Sequence, residues 1–310
     1  MPADLTQSVS ISRMPPRRLG AILSPRIAYG LAAPSVLLLV LTVMAPIMVM
    51  ILLSFTSYKF GETGIEWIGI GNYAELFGDR TFKRALWNTF AYVLMVAPAS
   101  VLLGLFLAVL IDGLSKGQRF YRLIFFLPVT ATVVAMAMVW KYLLHGTIGP
   151  FNLLLQSLGL PSLDVFGDRD LALAGLAAIN IWSLAGFNMV LFSAGLTGVP
   201  EDLYEAAAMD GMDSKFDRFL NVTLPLLGPV TMFVIVTSTI TAFKVFDTVA
   251  VITHGGPRGS TDVLLYTTYL EGFSYFRMGS AAAMTVVFLA IMMVFAWIQA
   301  RVLDRKVHYR

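Results

Sequence analysis

The sequence predicts an all-α integral membrane fold: six transmembrane helices, N- and C-termini in the cytoplasm, and a cytoplasmic helical segment between helices four and five. Three observations carry this. Hydrophobic residues make up 57% of the 310 residues and charged residues only 13%, where an ordinary soluble domain holds about 25% charged residues. The mean hydropathy is +0.77. Six stretches free of Asp, Glu, Lys and Arg have the length, about 20 residues, that a helix needs to cross ~30 Å of hydrocarbon.

In chain order, residues 1–26, rich in Ser, Pro and Arg, read as a flexible cytoplasmic tail. The membrane domain follows over 27–310. Its first span is Ile27–Tyr58, too long for the core of a signal peptide and without a small-residue cleavage site at its end. The second is Ala85–Ile111. The third, Leu123–Trp140, is the shortest, and Lys141 can snorkel to let the helix continue toward Leu144. A short interfacial helix is expected near Phe151–Leu158, closed by Gly159 and Pro161. Spans four, five and six are Leu171–Pro200, Phe219–Phe243 and Met278–Ala300, the last two joined by the turn-rich "THGGPRGSTD".

Orientation follows Lys and Arg near the span ends. Arg13, Arg17, Arg18 and Arg26 precede the first span, Lys116, Arg119 and Arg122 lie between the second and third, and Arg301, Arg305, Lys306 and Arg310 close the chain. These regions are placed in the cytoplasm, which requires an even number of spans. The absence of cysteine excludes disulfides and thiolate metal sites. His145, His254 and His308 are scattered, so no metal centre is expected.

The segment 200–229 is cytoplasmic by alternation, yet it sets Glu201, Asp202, Glu205, Asp210, Asp213 and Asp217 against only Lys215 and Arg218. An anionic inner leaflet repels such a segment, so its partner is expected to be a protein. Pro200, Glu201 and Asp202 suit a helix start, and Gly211 suits a stop. A second helix begins at Asp213 or Ser214 and runs to about Thr223, before Pro225. Leu203, Ala206, Ala207 and Asp210 share one face of the first helix by their spacing, a geometry for docking in a groove.

"EAAAMDG", Glu205–Gly211, followed by Leu224 and Pro225, resembles the EAA signature of the membrane subunits of bacterial binding-protein-dependent ABC importers. "FDTVAVITHGGP", Phe246–Pro257, the stretch "EGFSYFRMGSAAAMTVV" and the basic tail resemble sugar and glycerol-phosphate permeases, and the likeness runs from about residue 20 onward. The resemblance implies a permease subunit in the bacterial inner membrane, a multi-pass chain paired with a second homologous permease. It also implies a dimer of ATPase subunits that holds ATP and Mg, and a periplasmic binding protein that delivers a sugar or sugar derivative. No nucleic acid is expected among the partners, and the chain is expected to be no enzyme. It has no G-x-x-x-x-G-K-[ST] phosphate loop of its own.

Residue by residue, the resemblance gives ATPase coupling to Leu203, Glu205, Ala206, Ala207, Asp210 and Gly211. Asn180 and Ser238 fall on sugar-contacting positions of the larger maltose permease. Leu184, Ala242 and Val245 stand where that permease has a glycine and two asparagines, so the pocket differs in shape. Trp182, Asn188 and Phe187 complete the expected substrate-binding set, with interhelical hydrogen bonding as the other role of the polar ones. Lys244 either pairs with Asp247 three residues on or meets an anionic group on the substrate. An ion-gradient-driven secondary transporter is the competing reading, and it lacks the acidic sites within its spans that such coupling uses.

Overall fold

The computed structural model describes residues 25–304, so all but the last two residues of the expected tail 1–26, together with Arg305, Lys306, His308 and Arg310, lie outside the described residues. Among the described residues the secondary structure is helical, apart from an isolated antiparallel bridge between Thr56 and Trp67. The chain divides after Val49. Pro25–Leu39 (α1), a π turn over Val40–Met44 and Ala45–Leu53 (α2) run on as one apolar helix, Tyr29–Leu53, long enough to cross a membrane.

From Met50 onward the order is Gly71–Gly78 (α3), Arg80–Asp112 (α4), Gln118–Thr130 (α5), Val133–Leu143 (α6), Pro150–Ser157 (α7) and Ala172–Leu196 (α8). Then come Glu201–Met209 (α9), Lys215–Arg218 (α10), Leu224–Leu226 (α11), Gly228–Phe243 (α12), Leu264–Tyr269 (α13) and Met278–Asp304 (α14). Arg80–Asp112, Ala172–Leu196 and Met278–Gln299 are long and apolar enough to span. Helix α4 starts where the Asp79 carboxylate accepts from the Thr81 and Phe82 amides at 3.0 and 3.3 Å, and α7 ends at Gly159 with φ +72°, as its turn glycine requires.

Two stretches expected as single spanning helices are instead bent helix pairs. In place of one helix over Leu123–Trp140, α5 and α6 meet at 98°. Ala131 and Thr132 between them are extended, with ψ of 144° and 135°, and Pro128 takes one amide out of the ladder just before. In place of one helix over Phe219–Phe243, the piece Lys215–Leu226 meets α12 at 70°, around Leu227, with Pro225 and Pro229 on either side. Backbone freed in this way is tolerated at membrane depth where it lines a cavity or is buried in protein.

Between apolar helices in lipid the hydrophobic effect does little, so close packing holds them together. Glycine supplies it here. A Cβ on Gly104 of α4 would sit 2.5 Å from the Asn188 Cβ of α8, and one on Gly186 would fall onto the Phe125 carbonyl oxygen of α5. Tyr92, Val96, Ile179, Met189, Phe192 and Val234 fill the space around α4, α8 and α12 and are almost wholly buried.

Helix α3 is fixed by polar bonds. The Asn72 amide donates to the Ser54 and Thr56 carbonyls, each at 2.8 Å. Arg277 pairs with Glu75 of α3 and, at 3.5 Å, with Glu271. Burial pushes the Glu271 carboxyl above the ordinary carboxylate range; Arg277 opposes this, and Asp79 and Glu75 add to it. The fold therefore disfavours the ionised form, a penalty present above the raised pKa and lifted as pH falls through it. Relative to Glu271→Gln, the thermal unfolding midpoint of the parent in detergent should rise as pH drops from neutral; a constant difference between the two would contradict this.

Candidate functional site

A polar cavity lies beside the α5–α6 break, at the C-terminal end of α12 and far along that helix from the break at Leu227. Its volume is about 160 Å³, and Val133 at the start of α6, Asn180 of α8, Thr241 of α12 and the run Lys244–Thr248 line it. The Asn180 Nδ2 donates to the Thr248 Oγ1 and to the Leu176 carbonyl, both at 3.3 Å. Helix α12 ends at Lys244, whose backbone (φ −82°, ψ 16°) leaves the helical path. The chain is irregular for two residues before it turns helical again at Asp247. Helical i, i+3 geometry is therefore absent between Lys244 and Asp247, and they form no ion pair within 4.0 Å: the pairing read from their spacing is corrected. Both side chains are exposed, and both line the cavity.

Of the substrate-binding residues expected from sequence, the cavity brings together Asn180, Lys244 and Val245. Asn188 and Ser238 lie elsewhere, wholly buried, and are bonded to each other: Nδ2 to Oγ at 3.0 Å and Oγ to Oδ1 at 3.2 Å. That is the interhelical bond, joining α8 to α12. Ala242 is buried in the core, Leu184 packs against it, and Phe187 is exposed. Trp182 is partly exposed and meets Trp140 of α6 edge to face, with ring centroids 5.5 Å apart. Sequence reasoning did not place Thr241, Thr248 or Asp247 among the binding residues; the polar side chains beside Lys244 were the available signal.

The acidic segment folds as a helix, a tight turn and a second helix. Glu201 and Asp202 occupy the first turn of α9. It closes with Gly211 at φ +85°, where the Met212 amide bonds the Ala207 carbonyl at 3.0 Å and the Gly211 amide bonds the Ala208 carbonyl at 3.1 Å. This is a Schellman motif, and it needs a left-handed residue at its centre. Ser214 caps the next helix, its Oγ accepting from the Phe216 amide at 3.2 Å. A bond of 2.9 Å between the hydroxyls of Tyr204 and Thr223 ties the two halves.

Of the expected docking face, Leu203, Glu205, Ala206 and Asp210 are exposed, but Ala207 is buried at 5% exposure against the chain itself. The open side instead carries Met209, 89% exposed, with Phe216 also exposed beyond the turn. Sequence reasoning missed both; a large apolar residue beside a turn glycine was the signal.

An apolar helical bundle with a polar cavity beside a bent helix pair and an appended acidic helix pair is the architecture of a membrane protein. The chain belongs to the family described as "Binding-protein-dependent transport system inner membrane component", whose model matches residues 69–309. It is 35% identical over 288 residues to a probable ABC transporter permease protein of Bacillus subtilis, YesP, covering 91% of each chain. It is 33% identical over 248 residues to the sn-glycerol-3-phosphate transport system permease protein UgpA of Yersinia enterocolitica, covering 79% of this chain and 83% of that one. In fold it is similar to a chain of a bacterial ABC transporter involved in import of the acidic polysaccharide alginate, with a TM-score of 0.80 at 22% identity over 90% of this chain and 96% of that one. A second structure of an alginate transporter, in complex with its alginate-pentasaccharide-bound periplasmic protein, gives a TM-score of 0.79 at 22% identity, covering 88% of this chain and 92% of that one.

Proposed function

We propose that this chain is the membrane-spanning permease subunit of an ATP-driven importer, carrying a sugar or sugar derivative from periplasm to cytoplasm across the bacterial inner membrane. Each bent pair counts as one span, which gives six, with both termini cytoplasmic and the permease domain over 27–310. The chain pairs with a second permease and receives substrate from a periplasmic binding protein. It rests on an ATPase dimer that holds ATP and Mg. The segment 200–229 couples the two. Its exposed Leu203, Glu205, Ala206 and Asp210 enter a cleft on the ATPase, Gly211 sets the angle of the second helix, and Ala207 anchors α9 to the permease.

The observation that carries the reading is the cavity beside the α5–α6 break, where Asn180, Thr241, Thr248, Asp247 and the Lys244 ammonium, which has no ion-pair partner within 4.0 Å among the described residues, converge. A sugar leaving water must exchange hydrogen bonds with water for bonds to protein, and these groups offer them. Val245 also lines the cavity, and the buried Asn188–Ser238 bond fixes α8 against α12 farther along the same two helices. The relatives named for glycerol phosphate and for alginate support a saccharide or polyol substrate with a place for negative charge.

Uptake into proteoliposomes of the complete assembly tests this. Asn180→Ala should lower uptake of the native substrate about tenfold, as expected for loss of one or two hydrogen bonds. Lys244→Ala should impair anionic substrates more than neutral ones. Unchanged uptake in Asn180→Ala would remove the cavity from the path, and equal losses for both substrate types in Lys244→Ala would remove the charge recognition.

A further inference from the structure

Two consecutive residues near the end of α6 each hold a different neighbour. The Trp140 ring meets Trp182 of α8 edge to face at 5.5 Å. The Lys141 Nζ donates to the Val251 carbonyl at 3.0 Å. Val251 lies in a π turn, Val249–Thr253, that stops at His254, which is left-handed at φ 51°. The last carbonyls of a helical segment have no partner within it, and a cation at that end also complements the helix dipole. Lys141 therefore commits its ammonium to one particular segment. That segment follows directly on Thr248, the cavity residue that Asn180 grips from the other side.

The opposite end of α6 begins at Val133, in the cavity wall, just after the 98° break at Ala131 and Thr132. Those two residues are extended, so α6 can turn about them without losing helical hydrogen bonds of its own. Rotation there is opposed by the two ties at the far end. In the six-span topology α6 rises toward the outer surface, which puts both ties on the outer side of the cavity.

We propose that Trp140 and Lys141 form a latch that closes the polar cavity against the periplasm by pinning the free half of the broken third span to α8 and to the Val249–Thr253 turn. The latch rests on the reading of this cavity as the substrate path. It opens by rotation of α6 about Ala131 and Thr132, with loss of the Lys141 to Val251 bond, and re-forms once substrate has entered.

The sequence contains no cysteine, so Thr241→Cys places a single thiol of this chain in the cavity wall. The complete assembly in sealed, right-side-out vesicles is treated with a membrane-impermeant methanethiosulfonate, and labelling of this chain is followed by mass. Labelling of the Thr241→Cys parent should be slow. Lys141→Met should speed it about tenfold, the factor expected for one charge-assisted hydrogen bond. Lys141→Arg, which still donates, should restore the slow rate, and Trp140→Ala should give a smaller acceleration. Lys141→Gln serves as a second variant should the methionine substitution impair assembly, and its shorter arm should also label fast.

Equal rates in the parent and in Lys141→Met or Lys141→Gln would overturn the latch. So would Lys141→Arg labelling as fast as Lys141→Met, which would reduce the lysine to packing, or faster labelling only when reagent is added from the cytoplasmic side. The two readings fail separately. Faster labelling with uptake unchanged in Asn180→Ala leaves the latch and removes the site, while unchanged labelling with uptake lost in Asn180→Ala does the reverse.

Discussion

Replacing Gly211 by proline should leave a chain that inserts and assembles but no longer couples ATP hydrolysis to uptake. Gly211 stands at φ +85° in the centre of the Schellman turn. Proline locks φ near −65°, about 150° away, and also removes the amide that bonds the Ala208 carbonyl at 3.1 Å. The turn must then open, costing ~3 kcal/mol or more, and α10 leaves α9 at a different angle. Met209 and Phe216, the exposed apolar groups on either side of the turn, are then displaced relative to each other. ATP-driven uptake should fall to background while the variant still co-purifies with its permease partner. Gly211→Ala, which costs about 1–2 kcal/mol at a left-handed position, should lose only part of the activity. Normal uptake by the proline variant would remove the coupling role of this turn.

The second large effect is expected at Gly186. A Cβ there would fall onto the Phe125 carbonyl oxygen, with the Phe125 carbonyl carbon at 3.1 Å. A side-chain neighbour can rotate away, whereas a carbonyl in mid-helix moves only with the helix. Gly186→Val should therefore cost more than the ~1–3 kcal/mol of ordinary overpacking, separating α5 from α8 and lowering both the yield of folded chain and its thermal midpoint in detergent. Gly78→Ala is the matched control, since nothing lies within 4 Å of its added Cβ. Equal midpoints for the two variants would show that α5 and α8 are not held by this approach.

The positions of the apolar runs were legible because charge-free length alone places a helix in lipid. The breaks were not. Pro128 precedes a 98° bend, yet Pro34 and Pro98 sit inside helices that continue through them. What distinguishes Pro128 is the extended pair Ala131 and Thr132 beyond it, a tertiary choice with no local sequence mark. The loss of the Lys244–Asp247 pair has the same origin, since the spacing presumed a helix that stops at Lys244.

Spacing also shows which residues share a face but not which way that face turns. Tyr204 and Ala207 draw one side of α9 inward, so the open side shifts toward Glu205, Ala206 and Met209. Asn188 and Ser238, read as either substrate contacts or an interhelical bond, needed coordinates to decide, because their mutual reach depends on how α8 packs against α12. The turn at Gly211 and the cap at Ser214 were fully legible, being set by residues within a few positions of each other.

This chain is expected to conduct substrate only as part of an ATP-driven assembly. The most direct test is vesicle uptake with the purified chain reconstituted alone, and then with its permease partner, ATPase and binding protein, with and without ATP. Transport is expected only in the full assembly supplied with ATP. Uptake by this chain alone, driven by an ion gradient, would contradict the account.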